Sequence, residues 1–186
     1  AAAFYCYARR AKRRRHYGTV RKGMKTLATQ LENRALGTPD DGLAQTLATL
    51  CAHMSHVVYT SRNTRFLATG YGKINYLFLL FFQRMAYCLA HFFPAGQTLA
   101  PQDASYLRQL SCLLAALETK LDPPHSQQLL RRLQFLQDTC ALSSPAGTEA
   151  MAEALALLVD ALEEMAHTPM DQAMTHWPLL SEERKT

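Results

Sequence analysis

The spacing of the apolar residues constrains this chain more than any other feature. They recur every three or four positions, so that Val20, Met24 and Leu27, for example, would lie on one face of a helix. The alternating pattern typical of β-strands is almost absent. Short polar breaks rich in Gly and Pro separate the periodic runs. The pattern predicts an all-α fold, an antiparallel bundle of six or seven helices joined by short loops.

Several of these breaks contain residues that favour the start of a helix. Gly37 should end the first helix, and Thr38-Pro39-Asp40-Asp41 follows it directly. In this stretch a hydroxyl can cap the next helix, a proline suits the first helical position, and the acids favour the positive helix end. We therefore predict that the second helix begins at Pro39.

The most apolar segment runs from Ile74 to Phe93, with apolar residues all round the predicted helix. Its length would just span a bilayer, but it contains Arg84, and an arginine in mid-helix costs about 2.5–3.5 kcal/mol on insertion. We therefore expect a helix at the centre of the bundle or in a subunit contact. Arg84 would then need an acidic partner or a route to water.

The charge is distributed unevenly along the chain. Residues 1–34, the basic arm, carry ten of the 20 lysines and arginines but one of the 15 acids. The arm therefore has a formal charge of +9, and the remaining residues together have −4, within a total of +5. We therefore expect an anionic partner to contact the arm alone.

A cluster of six cations within the arm follows an apolar, aromatic stretch that contains Tyr5 and Tyr7. Cations concentrate on the cytoplasmic flank of membrane spans, and tyrosines favour the headgroup level. We therefore expect a membrane span to end here and the cations to contact anionic lipid headgroups, each contributing about 1 kcal/mol. The alternatives are a solvated helix face and a nucleic-acid arm, and the lack of a base-reading motif disfavours nucleic acid. The basic cluster comprises Arg9, Arg10, Lys12, Arg13, Arg14 and Arg15.

Three regions follow from these patterns. We expect residues 1–16 to be the end of a membrane span with its basic juxtamembrane segment, since the chain begins without Met and reads as part of a longer protein. Residues 17–178 should form a cytoplasmic helical bundle, and residues 179–186 a solvated tail.

Residues suited to catalysis or metal binding are sparse. The five cysteines include no Cys-x-x-Cys pair, which favours free thiols in a reducing compartment, four of them packed as inert core residues. His53 and His56 could approach one ion from a helix, but no third ligand stands at a diagnostic distance. Phosphate-loop, nucleophile-elbow and dinucleotide motifs are missing. We therefore predict no enzymatic activity, no cofactor and no metal.

The segment from His56 to Gly72 is polar and basic, unlike the helical runs on either side. It has a Tyr-x-Ser-Arg stretch closing one helix, a further basic residue and a Thr-x-x-Gly turn, followed by a long apolar helix that contains an arginine. This arrangement resembles the cytoplasmic portion of the fusaric-acid-resistance-like, or aromatic acid exporter, family over roughly residues 17–140. The residues that carry the resemblance are Tyr59, Ser61, Arg62, Arg65, Thr69, Gly72 and Arg84.

The resemblance implies an inner-membrane transporter that exports aromatic or other organic acids, with this chain on its cytoplasmic side. Its partners would be the transmembrane part of the same protein and a second copy, and the motif residues would serve interdomain contacts. From the residues alone, Arg62 and Arg65 could equally favour the negative end of a helix or pair with acids of the bundle. The alternative function is a soluble helical interaction protein whose basic arm binds nucleic acid or anionic lipid.

Overall fold

A computed structural model describes residues 17–60, 70–119 and 123–167 of the chain. These residues form six helices and no strand, which confirms the predicted all-α fold for the described part. The helices are α1 (Gly18–Leu36), α2 (Leu43–Thr60), α3 (Gly70–Phe92), α4 (Pro101–Thr119), α5 (Pro123–Asp138) and α6 (Pro145–His167).

Four of the six described helices pack mainly against a partner that is not their neighbour in sequence. α1 has its most extensive contacts with α4, and α3 with α6. α5 covers a second side of α6, while α2 contacts both α1 and α3. The apolar faces predicted from the sequence meet in one continuous core at the centre of these pairs.

Contacts along α1 and α4 fix their relative direction. The Ser111 hydroxyl of α4 donates a 2.7 Å hydrogen bond to the carbonyl of Ala28 in α1. Gly37, which follows the end of α1, lies beside the backbone carbonyl of Gln97, just before the start of α4. The end of one helix therefore lies beside the start of the other, and the two run antiparallel.

Contacts at both ends of the α3–α6 pair show that these two helices are also antiparallel. Lys73, near the start of α3, pairs with Glu164 near the end of α6 at 2.9 Å. At the other end of this pair, Gly147 in the first turn of α6 lies against the ring of Phe92, the last residue of α3. Both side chains of the ion pair are partly exposed, and such pairs contribute at most about 1 kcal/mol, so the buried apolar faces dominate this contact.

α5 runs antiparallel to the two helices on either side of it. The Tyr106 hydroxyl of α4 donates a 2.7 Å hydrogen bond to the carbonyl of Leu136 in α5, and the Gln137 amide donates to the Ala152 carbonyl of α6 at 3.4 Å. Together with the previous pairs, this places the starts of α1, α3 and α5 and the ends of α4 and α6 at one end of the bundle. We call it the entry end and the opposite end the far end.

α3 contributes the largest aromatic part of the core through the fully buried rings of Phe78, Phe81 and Phe82. The expectation that this helix is buried on all sides is nevertheless wrong. Arg84 is exposed, and Tyr87 is 51% exposed. The helix presents one polar side to solvent, so Arg84 lies in water and does not need the acidic partner that full burial would have required.

The turn between α1 and α2 corrects the predicted start of α2. Gly37 ends α1 in the left-handed conformation, with φ of 70°. Pro39 is not the first residue of the next helix, because the left-handed Asp41 intervenes and α2 begins at Leu43. The side chain that caps α2 belongs to Asp40, whose Oδ2 accepts a 3.2 Å hydrogen bond from the backbone N–H of Ala44.

The described cysteines are free thiols in different environments. Cys51 and Cys88 are buried, as predicted. Cys112 is exposed, which contradicts its assignment as a core thiol: it lies one turn from the exposed Arg108 on the same face of α4. Cys140 is half-buried and follows the end of α5. Cys6 lies outside the described residues.

The buried thiols and phenols predict a stability that decreases in alkali. Burial raises the pKa of Tyr17 from 10.0 to about 12 and, with a smaller contribution from Cys140, that of Cys88 from 9.0 to about 12. The unfolded chain therefore loses these protons at lower pH than the folded chain, so stability is complete below about pH 9 and decreases as pH rises towards about 12. Urea titrations in reductant across this range will measure the decrease.

Cys88→Ala provides the control for this alkaline effect. The variant should show a shallower decrease between about pH 9 and pH 10, where unfolded tyrosines are still mostly protonated. A free energy of unfolding that is independent of pH throughout this range would contradict the burial of these groups.

In the described ranges, no helix combines the length and the apolar run that crossing a membrane requires.

Candidate interaction site

A groove of about 540 Å³ lies between α4 and α5. The buried side chains of Leu113 and Leu136 form its floor, and Phe135, which is 65% exposed, stands at one side. Exposed polar side chains from both helices surround this apolar centre. The complete lining is Arg108, Gln109, Cys112, Leu113, Arg131, Arg132, Phe135 and Leu136.

The groove follows from the way each helix divides its residues between core and solvent. α4 turns Leu107, Leu110 and Leu114 into the core, which leaves Arg108, Gln109 and Cys112 on its exposed side. α5 packs inward through Leu129 and Leu133. α4 and α5 contact each other less extensively than either contacts its main partner, so an open channel remains between them.

Polar contacts at the far end hold the two sides of the groove in register. The buried Asp103 carboxylate, in the first turn of α4, accepts hydrogen bonds from the backbone N–H and the hydroxyl of Ser143, at 2.8 and 3.0 Å. The Tyr106 hydroxyl holds the Leu136 carbonyl one turn further along. These contacts limit sliding of α5 along α4, so the groove is a preformed feature of the surface.

Three guanidinium groups give the groove a positive charge. Arg108 comes from α4, and Arg131 and Arg132 come from α5. Within the described residues none of the three has an ion pair or a side-chain hydrogen bond, and no acidic side chain lines the groove. A local positive surface therefore exists within the remainder of the chain, whose net charge is negative.

This combination of groups is suited to binding rather than catalysis. Guanidinium groups recognise carboxylates and phosphates through paired N–H donors, and the floor with Phe135 can cover an apolar group. Cys112 is the one nucleophilic side chain in the lining, and the lining contains no histidine or carboxylate that could activate it. Over the described ranges, no three potential metal ligands cluster.

Most of the residues predicted as sites lie outside the described ranges. These are the six members of the basic cluster together with Ser61, Arg62, Arg65 and Thr69. Tyr59 belongs to the last turn of α2, and Gly72 is buried in the first turn of α3. Arg84 is twelve positions beyond Gly72 on the same helix, about 18 Å away, so the two do not form one site.

The structure places both members of the histidine pair on one helix. His53 and His56 are both exposed on α2. Over the described ranges, neither of them belongs to a cluster of three potential metal ligands.

The groove itself was missed by the sequence interpretation, although one signal was present. Phe135 falls outside the apolar stripe formed by Leu129, Leu133 and Leu136. Beside it stand Arg131 and Arg132. A large aromatic residue on the basic face of an amphipathic helix is a reason to look for a binding surface.

Comparisons with known protein families, with curated proteins and with solved structures found no match to this chain.

Proposed function

We propose that this chain is a non-catalytic helical interaction domain that is held against a membrane by its entry end. The observation that supports it best is the position of the cation-rich segments relative to the bundle. The basic cluster immediately precedes α1, and the link that contains Arg62 and Arg65 leads into the start of α3. Both helices start at the entry end, so both cationic segments join the bundle there.

α1 also carries exposed cations near its start. Lys22 and Lys25 are exposed in the first turns of the helix, whereas Val20 and Met24 face the core. Cations are thus presented to solvent close to the entry end. Each cation near an anionic leaflet contributes about 1 kcal/mol, so several acting together bind a membrane surface firmly.

In the wider form of this proposal, the chain is the cytoplasmic domain of a bacterial inner-membrane transporter. The aromatic stretch before the basic cluster would be the end of a membrane span, and α1 would continue from it. The resemblance to the fusaric-acid-resistance-like family supports export of aromatic or other organic acids. The domain would couple to the transmembrane part of the same protein and would pack against a second copy.

Vesicle binding tests the membrane proposal directly. The full chain should bind vesicles that contain phosphatidylserine and should bind pure phosphatidylcholine vesicles weakly. Replacing the six cations of the basic cluster with glutamine should lower the affinity for anionic vesicles by about 100-fold or more, because each cation contributes about 1 kcal/mol. Co-sedimentation measures the affinity, and circular dichroism confirms that helicity is kept.

A matched variant separates specific from general charge effects. Arg131→Gln with Arg132→Gln removes two cations from the groove and should leave vesicle binding nearly unchanged. Equal vesicle binding by the wild type and the basic-cluster variant would overturn the membrane proposal. Tight, salt-sensitive DNA binding that depends on the basic cluster would favour the nucleic-acid alternative instead.

A further inference from the structure

The groove lies along the middle of α4 and α5, between the two ends of the bundle. Arg108 is seven residues from the start of α4, and Phe135 is three residues before the end of α5. Both of these helix ends are at the far end of the bundle. α4 is about 28 Å long, so Arg108 is about 10 Å from the far end and about 17 Å from the entry end. Arg131 is eight residues, or about 12 Å, from the start of α5. A membrane at the entry end would therefore lie beyond the screening distance of about 8–10 Å from the groove arginines.

We propose that this groove is the docking site for an acidic, amphipathic helix of a partner protein. The inference rests on the proposed role as an interaction domain and specifies the chemistry of the partner. Carboxylates of the partner would bind Arg108 on one side of the groove and Arg131 and Arg132 on the other. An apolar side chain between these carboxylates would lie against Phe135 and the leucine floor.

The charge of the site selects an anionic partner. No acidic side chain of the described residues lines the groove, so its three guanidinium groups repel one another. A partner carboxylate would relieve this repulsion and accept from paired N–H donors. Exposed ion pairs each contribute at most about 1 kcal/mol. The affinity must therefore come mainly from covering the apolar centre, and the arginines set specificity and association rate.

The shape of the site favours a helix over a small molecule. Small-molecule sites bury most of their ligand inside a concave pocket. Here Phe135 is 65% exposed, and all three arginines are exposed as well. An open channel between two helices instead suits an amphipathic helix, which presents its apolar and charged residues in one line at i, i+3 and i+4 spacing.

A nucleic-acid partner fits the groove less well. Surfaces that bind single strands combine a long positive track with several stacking aromatic residues. This lining has one aromatic residue, Phe135, and it belongs to the part of the chain, residues 35–186, whose net charge is −4. A long polyanion would be repelled beyond the groove, whereas a short acidic helix would not.

Fluorescence anisotropy with synthetic helical peptides tests this proposal on the full chain. The probe is a labelled peptide with glutamates at i and i+7 and with leucine at i+3 and tryptophan at i+4, so that all four side chains lie on one face. Its controls replace glutamate with glutamine or the two apolar residues with serine. We expect saturable binding of the probe, weakened by salt, and a loss of about tenfold or more for each control peptide.

Variants of the chain locate the binding to the groove. Arg131→Glu with Arg132→Glu should weaken peptide binding by about tenfold or more, and Phe135→Ala by about tenfold. Lys22→Glu with Lys25→Glu is the matched charge reversal on α1, and it should leave peptide binding unchanged. No saturable binding by the wild type, or equal losses for the groove and α1 variants, would overturn the proposal.

The same variants separate this proposal from the membrane proposal. The groove variants should keep vesicle binding, and the basic-cluster variant should keep peptide binding. If the groove variants instead lose binding to an oligonucleotide while peptide binding persists, the groove is a nucleic-acid surface and the peptide assignment is wrong.

Discussion

Replacing Asp40 with alanine will destabilise the protein by about 3–5 kcal/mol, the range expected when one partner of a buried ion pair is removed. The Arg34 side chain is 6% exposed, and its Nη2 lies 3.4 Å from Asp40 Oδ2. The same carboxylate oxygen accepts from the Gln30 amide and from the backbone N–H of Ala44, each at 3.2 Å. Asp40 therefore compensates a buried charge and caps α2 at once.

Urea denaturation of three variants resolves these two roles. Asp40→Asn keeps an oxygen for the cap but loses the charge, so it should recover about 1 kcal/mol relative to Asp40→Ala. Arg34→Leu with Asp40→Ala removes both charges and should be much more stable than Asp40→Ala alone. Arg34 Nε and Nη1 are buried with no partner in the described residues, so an apolar side chain there removes groups that are costly to bury. A double variant no more stable than Asp40→Ala would refute the buried-charge explanation.

Replacing Gly23 with alanine will destabilise the protein by overpacking the contact between α1 and α3, which costs about 1–3 kcal/mol. The higher helix propensity of alanine offsets about 1 kcal/mol of this cost. A Cβ atom on Gly23 would lie 2.5 Å from Cζ of the Phe82 ring, well inside contact distance. Phe82 is fully buried, so its ring can move only by displacing other core side chains. Thermal or urea denaturation will measure the net loss.

Two controls make this result specific to the ring. Gly18→Ala lies in the same helix with nothing within 4 Å of the added methyl group, so it should be neutral or slightly stabilising. In a Phe82→Leu background the smaller side chain leaves room, and Gly23→Ala should destabilise by at least about 0.5 kcal/mol less than in the wild type. Equal effects of Gly23→Ala in both backgrounds would mean that the contact with Phe82 is not the cause.

Only part of the candidate site could be predicted from the sequence. The resemblance to a transporter family drew attention to Arg84 and Gly72, which the structure places on one helix about 18 Å apart, one exposed and one buried. Arg108 is more than twenty positions before Arg131 in the sequence, and no local pattern links the two. They line one groove because α4 and α5 form a hairpin whose register is held by Tyr106 and Asp103.

The sequence by itself determined the helices and the face that each helix turns inward, because the period of apolar residues depends only on local backbone geometry. The stripe of Leu107, Leu110 and Leu114 was predictable, and so was the inward face of α1. The tertiary structure alone decided that α1 pairs with α4 and α3 with α6. Leucine-rich faces are chemically alike, so the choice among them depends on the fit of side chains such as Gly23 against Phe82 and on the few polar contacts that set register.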